Sequence, residues 1–577
     1  MPPQSPVAWS SFITGSGPEV HGIYDFIHRE PGTLEPHLST TRVTPSARHV
    51  DIGGTRLPLD GARLELLRTG EPFWHHLTGD GIRVELFKLP VDFPPSSAGG
   101  ARILSGLGVP DARGGQGSFT LFTDDARSLS DDTSGGVTVA VRSEGGIYRC
   151  RLEGPPDQFT PDGRPAVTEL SVTVDRSSGG ALVETGCDSV LLGTGEWSGW
   201  RAVEFGLLGG LRKVRTITRM YLASVDPHLR LYLSPLNMDP SHPSMPISSP
   251  GGLSGELAGL LGPFHTKGFP EDTKALSRGV LDDVSYIGQA MALYGEQLDL
   301  MRLCLSRCSE GLSFCYFSTL DLNQHAFYRD LDPLSPLHST VHPEARGFIP
   351  RLYSMIDGAV GEAMDMLDGR TLLLVFSDHG FAPFRRGFNL NTWLLREGYA
   401  SVSDPYAARE ELFRGTDWQS TAAYGLGINS LYLNLRGREP SGSVDPSEAG
   451  ALLDRIRAGL ESVVDPLTGL RPVACTEAPE PGSGPPHAPD LLIGYASGYR
   501  ASWDTTLGRY PEEVIVDNLD PWSGDHCMAP AAVPGVLLSS EPVRAGTPRL
   551  RDLGRTAVSW LGPPTRPPGA DLLGRDE

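Results

Sequence analysis

Two short stretches each place an aspartate and a histidine directly after an apolar run. In "TLLLVFSDHGFAPF" (371–384) the run from Leu372 to Phe376 breaks into Ser377-Asp378-His379-Gly380. In "LSFCYFSTLDLNQH" (312–325) a similar run delivers Asp321 and His325, four residues apart. A third histidine, His526, stands in "DPWSGDHCMAP". Carboxylate and imidazole ligands without cysteine suit zinc or manganese. Two such ions about 4 Å apart clamp the attacking and leaving oxygens of a phosphoryl transfer. That clamp needs a nucleophile beside it. Ser5, followed by Pro6, reads as the N-cap of a helix whose free N–H groups face an incoming anion.

Each motif alone has a plainer reading. Asp-His-Gly serves as a turn, with the aspartate capping and the glycine at positive φ. Asp321 with His325 serves as a loop cap beside a solvated histidine, and His526 as a surface residue. Two strands ending in Asp and His, with a third histidine available, favour a shared site, because ligands of α/β sheets collect at the carboxyl ends of strands.

The elements that must position these residues follow from periodicity and punctuation. Residues 71–81 predict a helix and 82–90 a strand. From 100 to 265 the runs "SFTLFT", "VTVAVRS", "GIYRCRLE", "TELSVTVD" and "RLYLSPL", separated by Gly, Ser, Asp and Pro, predict an all-β insertion. After 280 the pattern is helix (287–308), strand (312–319), helix (348–368) and strand (372–377). Strands at 430–435, 490–495 and 535–540 and a helix at 447–463 follow. This alternation predicts a largely parallel sheet covered on both faces, with 372–377 in its middle. The expected organisation is a catalytic α/β part in 1–99 and 266–577, interrupted by a β-rich cap over 100–265.

Composition limits the partners. With 39% hydrophobic and 21% charged residues the chain is globular material, and its 69 glycines and 50 prolines imply many turns. A net charge of −21 argues against nucleic acid or an anionic membrane surface as the main partner. No run of 18 apolar residues and no leader-like start appear, so the expectation is a cytoplasmic chain without a membrane segment. The seven cysteines form no C-x-x-C pair, and Cys304 with Cys308 reads as packing on one helix face.

"PPQSPVAWSSFITGSGPEVHGI" (2–23) resembles the nucleophile segment of the alkaline phosphatase superfamily, in its type I phosphodiesterase/nucleotide pyrophosphatase branch. "DLNQH", "SDHGF" and "SGDH" resemble that branch's later metal segments. "LSGLGVPDARGGQGSF", "GEWSGW" and "GINSLYLNLRGREPSG" are most similar to bacterial phosphohydrolase/phosphomutase proteins of the superfamily. The resemblance implies a three-layer α/β/α sandwich and metal-dependent hydrolysis of small phosphate mono- or diesters. It implies two divalent ions, zinc or else manganese. One is held by Asp321, His325 and His526, the other by Asp378, His379 and the Ser5 oxygen, with Ser5 forming a phosphoseryl intermediate. His21 is read as structural. Arg385 and Arg386 are read as a solvated loop in preference to a phosphate clamp, and Asn389 and Asn391 are not assigned to the site.

The family pattern begins with a strand ending in Asp-Gly upstream of the nucleophile, and that aspartate belongs to the second metal. With the nucleophile at position 5, the expectation is an underliganded second site and neighbouring strands with unpaired edges, as in a truncated or damaged enzyme. The alternatives on the same fold are a phosphomutase and a metal-poor pseudoenzyme acting as a binding protein. A sulfatase is disfavoured because no Cys-x-Pro-x-Arg is present.

Overall fold

The computed structural model describes residues 2–96, 98–129, 135–307, 309–480, 484–562 and 571–573. Cys308 and most of the tail beyond 562 lie outside the described residues. The site rests on helix α1 (Ser5–Thr14), strands β1 (Val84–Leu89), β2 (Arg102–Ser105) and β3 (Ser248–Ser249), helix α2 (Asp283–Arg307), strand β4 (Leu312–Cys315), and helices α3 (Thr319–Leu331) and α4 (Phe348–Met366). Strands β5 (Leu374–Phe376), β6 (Ala382–Phe388) and β7 (Leu537–Ser539) and helix α5 (Leu550–Leu561) complete it.

Strand β1 lies between β2 and β4 and is parallel to both, while β3 closes the outer edge of β2 antiparallel. All six residues of β1 are buried, as in a strand covered on both faces. The strand period sorts them: Val84 and Leu86 join Trp9 and Phe12 of α1, whereas Phe87 meets Leu300 and Cys304 of α2.

Helix α1 begins with Pro6 in its first turn and ends at Gly15 in the left-handed region, φ 61°. Ser5 is its first helical residue, and Gln4, not Ser5, takes the cap position with extended backbone. Gln4 cannot cap with its side chain, because Nε2 donates to Asn429 Oδ1 (2.6 Å) and Oε1 accepts from Phe26 N (2.8 Å). The sequence places this start one residue late.

The sheets are of mixed orientation, which corrects the expected largely parallel sheet. Strand β5 does not continue the parallel order: it pairs antiparallel with β7. Nor is it buried on both faces. Leu372 to Phe376 are half-buried, because two connected cavities of about 370 and 290 Å³ separate β5 from β4. The runs at 430–435 and 490–495 do form strands, but in a separate antiparallel sheet with Ala423–Gly425 and Val473–Glu477. An apolar run marks a strand; it does not name the neighbour.

The five β-prone runs between 119 and 233 are strands, and Ile147–Pro156 alternates exposed and buried residues along most of its length, with one face on a shared apolar core. Short strand pairs at 27–38, 41–66 and 49–58 were not foreseen. They are three or four residues long and mostly polar, so they carry little apolar pattern. Among the described residues no helix is long and apolar enough to cross a membrane.

Trp9 joins helix α1 to the sheet. It is 2% exposed and packs edge-on to Phe12, Phe314 and Tyr316, with ring centroids 5.3–5.9 Å apart. Trp9→Ala should destabilise the protein by about 3–5 kcal/mol, read as a lower urea midpoint. Trp9→Phe should cost clearly less, and equal midpoints for both variants and wild type would show that this packing is not what holds α1.

Candidate active site

Four pieces of chain deliver the site. After β4 the chain turns at Ser318 into α3, so Asp321 lies in that helix's first turn and His325 one turn later on the same face. After β5 the chain exposes Ser377-Asp378-His379-Gly380. Gly380 is not at positive φ; it is needed because a Cβ there would lie 2.3 Å from Pro534 O. The short strand Gly524–Asp525 pairs with the start of β6 and brings His526. A Cβ on Gly524 would sit 2.6 Å from Gln324 O of α3, so only glycine allows this approach. The first turn of α1 brings Ser5.

All six residues singled out from sequence converge. Ser5 Oγ lies 3.0 Å from His379 Nε2 and is buried. His379 Nε2 is 3.2 Å from Asp378 Oδ2 and 3.9 Å from Asp321 Oδ1. His325 Nε2 is 3.9 Å from Asp321 Oδ1. The His379 and His526 rings stack at 3.5 Å, and ligand atoms of Asp321, His379 and His526 all lie within 4.8 Å of one another.

Backbone carbonyls fix how the imidazoles present themselves. His325 Nδ1 donates to Gly524 O and His526 Nδ1 to Pro3 O, each at 2.7 Å; His379 Nδ1 donates to Gly380 O at 3.2 Å. Each ring thereby keeps Nε2 for the pocket, the arrangement that orients metal-binding histidines. His325 also stacks on Trp522 at 3.7 Å.

The electrostatics are those of anionic groups crowded away from water. Burial pushes the Asp321 carboxyl up to about 7; His379 opposes this, while Asp378 and Asp525 add to it. Burial also works against Asp378, but the imidazole beside it wins and holds it below the ordinary carboxylate value. His379 is correspondingly raised, with burial outweighed by Asp378 and then Asp321. His526 is lowered to about 4 by burial and by His379, and burial holds His325 well below its usual value.

Asp525 is the residue that sequence reasoning passed over. Its Oδ1 accepts from the N–H groups of His526 and Cys527, and its Oδ2 from Arg500 Nη1 and Trp522 Nε1, all at 2.8 Å. Burial opposes its charge, yet Arg500 holds it far below the usual range. With all four donors engaged it braces the His526 loop. The one signal was its place in "SGDH", next to His526. The grouping of Asp525, His526 and Cys527 is therefore a poor ligand set, and burial also keeps the Cys527 thiol protonated.

Other residues are engaged elsewhere. Arg385 pairs with Asp332 (2.6 Å) and Arg386 with Asp465 (2.7 Å) and Asp517, both from β6, not from a loop. Asn389 and Asn391 bond to backbone around 425 and 513. His21 is buried between Ser11 and Ile23 N and lowered to about 3 by burial and then Arg68, consistent with a structural role.

The sequence profile of "Type I phosphodiesterase / nucleotide pyrophosphatase" matches residues 1–103 and 274–502, more than half of the chain. The chain belongs to this family. A search of curated proteins gives no match. This family, within the alkaline phosphatase superfamily, is a group of phosphodiester and pyrophosphate hydrolases and is typically metal-dependent. The unmatched stretch 104–273 contains the β-rich sheets described above.

The residues present fit a divalent cation. Asp321 Oδ1 is buried and makes no hydrogen bond, and Asp378 Oδ2 has only badly aligned His379 near it. Buried acceptors converging without a donor are what a cation satisfies. In chelator-treated protein, Asp378→Asn should lower the His379 titration midpoint, and His526 should stay neutral down to about pH 4. Imidazole NMR resonances across a pH series check both, and an unmoved His379 would remove the pairing from this account.

Proposed function

We propose that the protein hydrolyses small phosphate mono- or diesters with Ser5 as the nucleophile, on an alkaline phosphatase-like three-layer sandwich. The observation that carries this is the Ser5 hydroxyl 3.0 Å from His379 in the same buried pocket as Asp321, Asp378, His325 and His526. Asp321, His325 and His526 would hold one divalent ion, and Asp378, His379 and the Ser5 oxygen another. When bound, the ions lower the pKa of a coordinated hydroxyl and neutralise phosphoryl oxygens. The chain's own contribution is placement. The start of α1 aims the Ser5 oxygen into the pocket, and the carbonyls of Pro3, Gly380 and Gly524 keep the three imidazoles oriented. Ser5 Oγ bonds to phosphorus as the ester P–O bond breaks and the alcohol departs. Water then cleaves the phosphoseryl bond, regenerating Ser5.

Ser5→Ala should lower turnover of p-nitrophenyl phosphate or bis-(p-nitrophenyl) phosphate on the order of 10⁴-fold or more while leaving the circular dichroism unchanged. Rapid quenching with labelled substrate should trap phosphate on Ser5; label on another residue, or near-wild-type turnover of the alanine variant, would remove Ser5 from this role.

Asp321→Asn, Asp378→Asn and His526→Ala should each lower bound zinc or manganese, because each removes a first-hand ligand. Elemental analysis of the purified variants checks this, and unchanged metal content in all three would show that these side chains do not hold the ions.

A further inference from the structure

Helix α3 does not cap itself. Ser318, the residue before it, has helical backbone (φ −88°, ψ −19°), and its side chain makes no bond to the first turn. Asp321 is the third residue of the helix, the position from which an acidic side chain can fold back onto the N–H of the capping residue. It stays free instead: Asp321 Oδ1 makes no hydrogen bond.

The polar groups of this helix start are met from another helix. Gln297 of α2 is 1% exposed, on a buried face that it shares with Leu293, Leu300 and Met301. Its Oε1 accepts from the Thr319 hydroxyl (3.2 Å) and, at longer range, from Thr319 N (3.5 Å), while its Nε2 donates to Ser318 Oγ (3.0 Å). A backbone N–H only donates, so the amide oxygen is the atom that must face Thr319. Burying an amide among apolar side chains is costly unless its atoms are bonded, and here both ends bond the same helix start. The neighbouring Glu296 fixes this part of α2: its oxygens accept from Trp200 Nε1, Arg219 Nη2, His265 N and His265 Nδ1 at 2.6–3.0 Å.

We propose that Gln297 is a positioning residue, whose amide caps α3 in place of Asp321 and so leaves that carboxylate turned into the pocket. There Asp321 Oδ1 lies 3.9 Å from both His325 Nε2 and His379 Nε2. Without the amide, the unbonded N–H groups and positive end of the helix offer Asp321 the capping role. A carboxylate folded onto its own helix start is lost to a cation. The inference rests on the reading of Asp321 as a metal ligand and adds the residue that holds it ready.

Gln297→Met keeps the side chain's length and removes both bonds. Zinc affinity of the full chain, read by competition with a chromogenic chelator, should fall about tenfold or more. Thr319→Val, which takes away only the hydroxyl donor, should weaken zinc binding in the same direction but by less, and it carries the test where Gln297→Met folds poorly. In an Asp321→Asn background Gln297→Met should add no further loss, because both act through one ligand. A lower urea midpoint with unchanged zinc affinity in Gln297→Met and Thr319→Val would overturn the proposal and leave Gln297 a packing residue. An equal further loss in the Asp321→Asn background would overturn it too, by placing the effect elsewhere. Zinc affinity unmoved by Asp321→Asn alone would remove the ligand reading itself, and this proposal with it.

Discussion

Two partly buried carboxylates, Asp321 and Asp378, share a pocket with three imidazoles, and only His379 among those imidazoles is raised toward the charged form. Removing such charge from water is costly unless it is paired. Much of the surrounding structure answers that constraint. Arg500, itself buried, neutralises the third carboxylate, Asp525, so the local excess of negative charge falls on Asp321 and Asp378.

Orientation is enforced from the backbone. The carbonyls of Pro3, Gly380 and Gly524 each take an imidazole Nδ1–H, and two of these carbonyls come from loops that approach the core only because Gly380 and Gly524 lack a side chain. The pocket is thus built from loops at strand ends, held by packing beneath them. Helix α1 makes that link directly: Trp9 and Phe12 pack on Phe314 of β4 and Phe376 of β5, the two strands that deliver Asp321 and Asp378. Helix α1 and strands β4 and β5 are consequently packed together. Gln4, tied to Asn429 and Phe26, extends the anchoring to the antiparallel sheet at 430–433.

Two cavities lie between β4 and β5. Strands that α/β packing usually buries are half-buried here, and the Phe314 and Phe376 rings reach toward each other across the space between them. The site sits at one end of that gap, so its precision depends on how firmly the two banks are held apart.

The sequence by itself singled out the six residues that the fold brings together, because each is marked by a local event: an apolar run ending in Asp and His, a proline at a helix start, or a Gly-Asp-His turn. It also determined the strands of 119–233, whose exposed-buried alternation is written along the chain. Only the tertiary structure decided which strands pair. The runs at 430–433 and 491–495 look like parallel-sheet strands and are antiparallel ones, and the run before Asp378 looks like a central strand and pairs on one side only. Likewise only the fold decided the tautomers of His325 and His526, whose carbonyl partners lie 199 and 523 residues away in sequence, and the bracing role of Asp525, which depends on the buried approach of Arg500. A side-chain pattern records which face of a segment meets apolar surroundings; backbone hydrogen bonding is common to all residues and carries no such record, so partner and register are settled when the elements meet.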